Sequence, residues 1–334
     1  MKPDEKEIEW GLVDSDVFDD ILRRSSRSMS LMSNRISFSN FLMKMEVTYD
    51  NPVYRDLLAE KFSVMGDGFL QELPRMYFLQ YQEAFGFKLP FRNFGFVDNA
   101  NQSRVIVFAP SFGVFKSVIS GFASFRYESD DYYPIHASVM SVDGKGVAFI
   151  GGSMAGKTTT LINIAQRMRE KGRNIQILAD DWCMVKWQGA GKGLVAETFD
   201  PSVSFRKRDL DENPHIVFPC HDWLLQQFQA RDKISLPPSV LYGSNSNTNA
   251  VKIDYLVLME PFPGPCILRQ EMDEVIARKI IHAAYHYPYV TDVQRDRHVA
   301  FWCDMQKRVE TYCFNTRSES GGQQMLDPIE GVLI

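Results

Sequence analysis

Ten consecutive residues, Gly151-Gly152-Ser153-Met154-Ala155-Gly156-Lys157-Thr158-Thr159-Thr160, fit the phosphate-binding pattern G-x-x-x-x-G-K-[ST] and constrain what can surround them. Such a loop works only where a strand delivers the chain and a helix carries it away. Val147-Ala148-Phe149-Ile150 is short and apolar and follows the turn Asp143-Gly144-Lys145-Gly146, so it reads as a buried strand. Leu161, Ile164, Ala165 and Met168 recur at helical spacing, which predicts a helix from Lys157 to about Arg169. In that setting the backbone N–H groups from Gly151 to Thr159 and the positive end of the helix dipole face a phosphate. Lys157 neutralises its outer oxygens and the Thr158 hydroxyl reaches Mg²⁺. A Gly-rich turn that matches by accident would lack this agreement of strand, loop and helix.

The flanking segments add chemistry. Ile135 to Val142 alternates as a strand and pairs through the Asp143 to Gly146 turn with the strand entering the loop, which brings His136 towards the same place. After the loop helix, Ile175 to Leu178 reads as a buried strand ending in Ala179-Asp180-Asp181-Trp182. Adjacent carboxylates at a strand end suit Mg²⁺ coordination or proton abstraction from a hydroxyl. Asp is also at home in turns and helix caps, but a phosphate loop one helix upstream favours the functional role. Further on, Arg206-Lys207-Arg208 is a basic run that could meet a phosphoryl group or solvent. The small polar stretch Gly243 to Ala250 is either a surface connection or a loop able to close over a site.

Bulk properties narrow the class. A chain of 334 residues, 45% hydrophobic, can bury a real core in one large domain or two modest ones. Its formal charge of −5 provides no global attraction to nucleic acid or to an anionic membrane. The five cysteines, Cys183, Cys220, Cys266, Cys303 and Cys313, form no C-x-x-C pair, which points to thiols in a reducing compartment. The acidic start from Met1 to Asp20 does not resemble a secretory signal, and no run of about eighteen apolar residues occurs. A cytoplasmic protein, with no nucleic-acid or membrane partner, is expected.

The N-terminal part carries less chemistry. Residues 1–40 pass from acidic to basic and Ser-rich, which predicts a mobile or loosely packed segment. From 41 to 111 the texture is α+β. Strands are expected over Lys44 to Tyr49 and Arg75 to Tyr81, a helix over Pro52 to Met65, and a hairpin from Phe94–Val97 and Arg104–Phe108. A helix over Phe112 to Phe125 opens a third region, 112–334. Later strands are expected over Trp182 to Trp187, Leu194 to Thr198, Lys252 to Met259 and Val309 to Phe314, with helices near 272–283 and 299–305. His282 and His286 stand four apart, a spacing that can hold a metal but here lacks a third ligand.

Taken together, the run I-H-A-S-V-M-S-V-D-G-K-G-V-A-F-I-G-G-S-M-A-G-K-T-T-T followed by L-A-D-D-W resembles the HPr kinase/phosphorylase-like superfamily, whose core is shared with ATP-dependent phosphoenolpyruvate carboxykinase. The similarity covers about residues 112–210. It implies an α/β fold with a P-loop kinase core, a mixed sheet and flanking helices. ATP phosphates would lie on Gly151, Gly152, Ser153, Met154, Ala155, Gly156, Lys157, Thr158 and Thr159, with Arg206 near by. Mg²⁺ would lie on Thr158, Asp180 and Asp181, and His136 beside the γ-phosphate or a metal. Asp180 and Asp181 would divide metal binding and base catalysis, without either being assigned. Two departures stand out: Met154 occupies a position where the family often has glycine, and the L-x-I-R-G-x-G signature is absent after the Asp pair.

The function expected from this is an ATP-dependent kinase acting on a hydroxyl, either a serine of a peptide or protein or a small-molecule alcohol. A nucleotide-regulated binding module and a general P-loop ATPase or nucleotide kinase are the alternatives. Assembly into a homo-oligomer is left open.

Overall fold

The computed structural model describes residues 8–27, 34–39, 44–49, 75–79, 83–84, 87–88, 93–98, 104–108, 131–198, 202–211, 213, 218, 220–229, 233–260, 267–269, 274–284, 292–305, 308–315 and 327–333. The chain divides into two compact units, Met1–Ser129 with His286–Val290, and Asp130–Tyr285 with Thr291–Ile334. The helices expected over Pro52 to Met65 and Phe112 to Phe125 lie outside the described residues, as do His286 and the side chain of His282.

In the first unit, strands β1 (Ile8–Val13), β2 (Asn34–Ser39), β3 (Lys44–Tyr49), β4 (Arg75–Leu79), β7 (Asn93–Asp98) and β8 (Arg104–Phe108) form a mixed sheet of order β1-β7-β8-β4-β3-β2. Helix α1 (Ser15–Arg27) follows β1, and the two-residue strands β5 (Glu83–Ala84) and β6 (Phe87–Lys88) make a separate ribbon. The segment expected to be loose is therefore regular over much of its length. Its composition is polar, but Ile8, Trp10 and Leu12 alternate, and β1 finds a partner far along the chain in β7, with Trp10 opposite Gly95. Phe18 and Ile21 of α1 are buried, and the Arg104 guanidinium both bonds Asp19 and lies over the Phe18 ring.

The second unit is a mixed α/β fold built on a small closed barrel. Strands β9 (Tyr133–Val142) and β10 (Lys145–Ile150) form a hairpin, after which come α2 (Lys157–Glu170), β11 (Ile175–Ala179), β12 (Trp182–Trp187) and β13 (Leu194–Glu197). Next are β14 (Val203–Arg206), α3 (Lys207–Asp211), α4 (His221–Gln227), β15 (Lys233–Leu236), α5 (Pro238–Tyr242) and a short 3₁₀ turn at Ser244–Ser246. The chain ends with β16 (Ala250–Glu260), β17 (Ile267–Arg269), α6 (Glu274–Ala284), α7 (Asp292–Met305), β18 (Glu310–Asn315) and α8 (Asp327–Leu333). Five strands pair in the ring β10-β9-β12-β13-β16, which closes because β16 also pairs in parallel with β10. Beyond it, β18 pairs with β16 and β17 with β18.

Every residue of β9 is buried, because the strand has cover on both faces. Ile135, Ala137 and Val139 join Ala148, Ile150 and residues of α6 and α7 in one apolar cluster. Met140, Val142, Val147 and Phe149 join Leu161, Ile164, Ala165 and Met168 of α2 in another. Each large aliphatic side chain of α2 contributes about 1.5–3 kcal/mol by leaving water, which fixes the helix against the hairpin. At its far end Arg167 bonds Asp327 and Glu330 of α8, and Lys171 bonds Glu330.

Two physical details govern the barrel. The first is Gly146, where an added Cβ would stand 1.8 Å from the Lys252 carbonyl oxygen, at the register shift where β10 meets β16. The second is on β9, one edge of which carries β10 while the other carries two strands in succession. Trp182 to Val185 pair with Tyr133 to His136, and Ile175 to Ala179 with Val139 to Val142. The ladder shifts at Ile177/Ala179, and the bonds from the Ala137 N–H to the Asp181 carbonyl, 3.1 Å, and from the Ser138 hydroxyl to the Asp180 carbonyl, 3.3 Å, fill the junction.

Gly146→Ala is expected to lower stability by about 2 kcal/mol or more, because the closing strands must separate. Urea denaturation checks this, and an unchanged midpoint contradicts a ring closed at that contact.

Candidate functional site

The irregular junction on β9 is where Asp180 and Asp181 sit, and irregularities of this kind re-aim side chains. On β9, His136 and Ser138 are two apart and so share a face. Each meets one aspartate. Ser138 donates its hydroxyl hydrogen to Asp180 Oδ1 at 2.7 Å, and His136 Nε2 lies 3.2 Å from Asp181 Oδ1.

The two carboxylates have opposite environments. Asp180 is only 4% exposed and accepts three hydrogen bonds, from Ser138, from the Thr158 side chain and from the Ser204 backbone N–H at 3.0 Å. Burial raises its pKa to about 6, the hydrogen bonds hold it down, and the neighbouring Asp181 adds to the rise. The side chain of Asp181 is 37% exposed and faces open space beside His136.

The loop between β10 and α2 supplies donors. Gly156 has φ 86°, a left-handed conformation natural to glycine, and α2 begins without a side-chain cap or an acidic residue in its first turn. Its first N–H groups therefore point outward with the positive end of the dipole, an arrangement suited to an anion. Lys157 is buried and donates to the carbonyls of Gly151 and Gly152, both at 2.9 Å. Desolvation lowers its pKa, opposed by Asp181 and Asp180 and assisted by Lys233. Met154 takes φ 66° and is 71% exposed, so the loop keeps the glycine-like backbone turn with a methionine in place.

These groups line one polar cleft of about 400 Å³. Of the residues singled out in the sequence, His136, Ser153, Met154, Ala155, Gly156, Lys157, Thr158, Thr159, Asp180, Asp181 and Arg206 lie on its wall. Gly151 and Gly152 stand behind it as acceptors for Lys157. From the basic run Arg206 and Arg208 line the cleft, and Lys207 is not on its wall. Ser204, Asp209 and Lys233 complete the lining without having been anticipated, and Ser138 acts from behind. Ser138 was reachable from the two-residue period of β9 once His136 was chosen. Lys233 carried no local signal, because the pairing of β14 with β15 brings it there.

Gly243 to Ala250 does not act as a cover. Ser246 is buried, its N–H and hydroxyl both donate to the Gly243 carbonyl, Asn247 accepts from the Ser239 N–H at 2.8 Å, and Asn247 bridges to Ile177. The stretch is a pinned connection between α5 and β16.

The oxygen donors of Thr158, Asp180 and Asp181 suit a hard cation such as Mg²⁺. Among the described residues no group of three or more His, Cys, Asp and Glu is arranged to hold a metal. Mg²⁺ commonly relies on one or two carboxylates, with phosphate and water completing its shell, so this donor set fits. Elsewhere, Cys183, Cys220, Cys303 and Cys313 are in no disulfide, and among the described residues no helix is long and apolar enough to cross a membrane. Neither protein-family models nor curated proteins match this chain.

Asp180 takes up a proton in the folded state near pH 6 and in the unfolded chain near pH 4, so its contribution to stability falls as pH rises between those values and then levels off. Asp180→Asn, which has no carboxylate to titrate, is expected to remove that fall. Denaturation of both proteins across pH 4–8 checks this, and parallel curves contradict it.

Proposed function

We propose that the protein is an ATP-dependent phosphotransferase with a P-loop kinase core of the HPr kinase/phosphorylase-like type, moving the γ-phosphoryl group to a hydroxyl on a peptide, a protein or a small molecule. The observation that carries this is the pairing of His136 with the exposed Asp181 in the same cleft as Lys157 and the uncapped start of α2. A site for phosphate alone needs the loop and the lysine. It has no use for a second, solvent-facing carboxylate held beside a histidine.

The roles follow from the environments. The N–H groups of the loop and of the first turn of α2 bind the phosphates, and Lys157 turns from the Gly151 and Gly152 carbonyls to the β and γ oxygens. Thr158 and Asp180, already hydrogen-bonded to each other, would hold Mg²⁺, which supplies charge neutralisation on the transferring group. This leaves Asp181 as the base. Its carboxylate takes the proton of the acceptor hydroxyl as that oxygen bonds to the γ-phosphorus and the bond to the bridging oxygen breaks, releasing ADP. His136 holds Asp181 in place. No extended domain or lid is required by this scheme.

Incubation with γ-labelled ATP, Mg²⁺ and a broad set of hydroxyl acceptors, including the products of neighbouring genes, is expected to label one acceptor. Lys157→Ala and Asp181→Asn should each lower the rate by about 10²-fold or more. Labelling that survives both changes contradicts the assignment. Nucleotide binding without transfer to any acceptor favours the regulated binding module instead.

A further inference from the structure

The β14–β15 ribbon contains a pairing that works against its own stability. Arg206 on β14 is directly opposite Lys233 on β15, and both side chains line the cleft. Like charges facing each other across an antiparallel pair repel and destabilise the pairing. Among the described residues neither side chain is in an ion pair. Asp209, on the same wall of the cleft, is engaged otherwise: its Oδ2 accepts from the Arg206 backbone N–H at 2.6 Å and its Oδ1 lies 4.0 Å from Arg208 Nε. The ribbon itself is firmly held. Ser204 and Ser235 share a hydrogen bond of 2.5 Å, the Ser204 N–H is bonded to Asp180, and Phe205 and Ile234 are buried. The held backbone of the ribbon thus sets the two cations opposite each other, with both side chains exposed at the cleft.

Charge in the cleft points the same way. Its lining carries Lys157, Arg206, Arg208 and Lys233 against Asp180, Asp181 and Asp209. Lys157 belongs to the loop, Asp181 is beside His136, and Arg208 is beside Asp209. Arg206 and Lys233 are what remains. A guanidinium fork with an ammonium beside it is suited to an oxyanion, the fork by paired hydrogen bonds and the ammonium as a point charge.

We propose that Arg206 and Lys233 form an oxyanion-binding site for the acceptor, which carries a phosphate or carboxylate group in addition to the hydroxyl it presents to Asp181. This rests on the phosphotransferase reading and narrows its substrate class from alcohols in general to anionic ones. Arg206, expected among the nucleotide ligands, belongs to the acceptor side. The anion relieves the repulsion between the two cations, so occupancy and stability of the ribbon are linked.

The test fills the nucleotide site first. The full chain is saturated with Mg²⁺ and a β,γ-imido analogue of ATP, which occupies the γ position, and is then titrated by calorimetry with inorganic phosphate and, separately, with acetate. Saturable binding of one of them is expected, and which one binds distinguishes phosphate from carboxylate. The double variant Arg206→Gln, Lys233→Gln should lose that binding by about tenfold or more, while the analogue binds within about twofold of the parent. Without any anion, each single Gln variant should melt at or above the temperature of the parent, which shows that it folds. The binding anion should raise the melting temperature of the parent and not of the double variant.

Anion binding that is unchanged in the double variant overturns the proposal. So does an equal loss of analogue and anion affinity, which would assign both cations to the nucleotide, and so does the absence of any anion binding to the parent. If the analogue does not bind, the phosphotransferase reading fails by itself. The anion titration on the free protein still decides the ribbon, by the presence or loss of a site in the double variant.

Discussion

A single buried carboxylate ties the second unit together. Asp180 accepts from Ser138 on β9, from Thr158 at the start of α2 and from the backbone of Ser204 on β14, so three segments far apart in sequence converge on two oxygen atoms. Such an anion is expensive to bury, and its raised pKa is the measure of that expense. Three donors offset part of it. The same contacts define the cleft, because they fix the distance of the loop, the β9 face and the cationic ribbon from a common point.

The arrangement also separates two residues that are neighbours in sequence and identical in kind. One step along the chain turns Asp180 inward to the hydroxyls and Asp181 outward to His136 and open space. The jog where β11 hands over to β12 along the edge of β9 makes this possible, since a regular strand would place them on opposite faces of a continuous ladder. Two carboxylates in unlike environments are what a site needs when one must stay with a cation and the other must take a proton.

Much of this was legible in the sequence, and the reason is local. The β9–β10 hairpin, the loop from Gly151, the helix from Lys157 and the strand that ends just before Asp180 each announce themselves within a few residues, by alternation, by Gly-rich turns or by helical spacing. What stayed hidden depends on pairings between distant segments. Closure of the barrel rests on Gly146 against Lys252, and the cationic pair rests on Arg206 against Lys233, and neither partner is marked by its neighbours. The strand at Ile8–Val13 escaped for the same reason, since β1 is held by β7, far along the chain. Gly243 to Ala250 shows the converse: a small polar stretch looks loose, yet Asn247 and Ser246 use that polarity to pin it.

The central claim is that loop 151–158 and Asp180 together receive a metal-bound phosphate. A crystal structure of the protein grown with Mg²⁺ and ADP tests it most directly. Density for the β-phosphate against the N–H groups of Gly156, Lys157 and Thr158, with a cation between Thr158 and Asp180, is the expected result. A diphosphate bound elsewhere on the protein, or an empty loop at saturating nucleotide with Lys157 still on the Gly151 and Gly152 carbonyls, would contradict it.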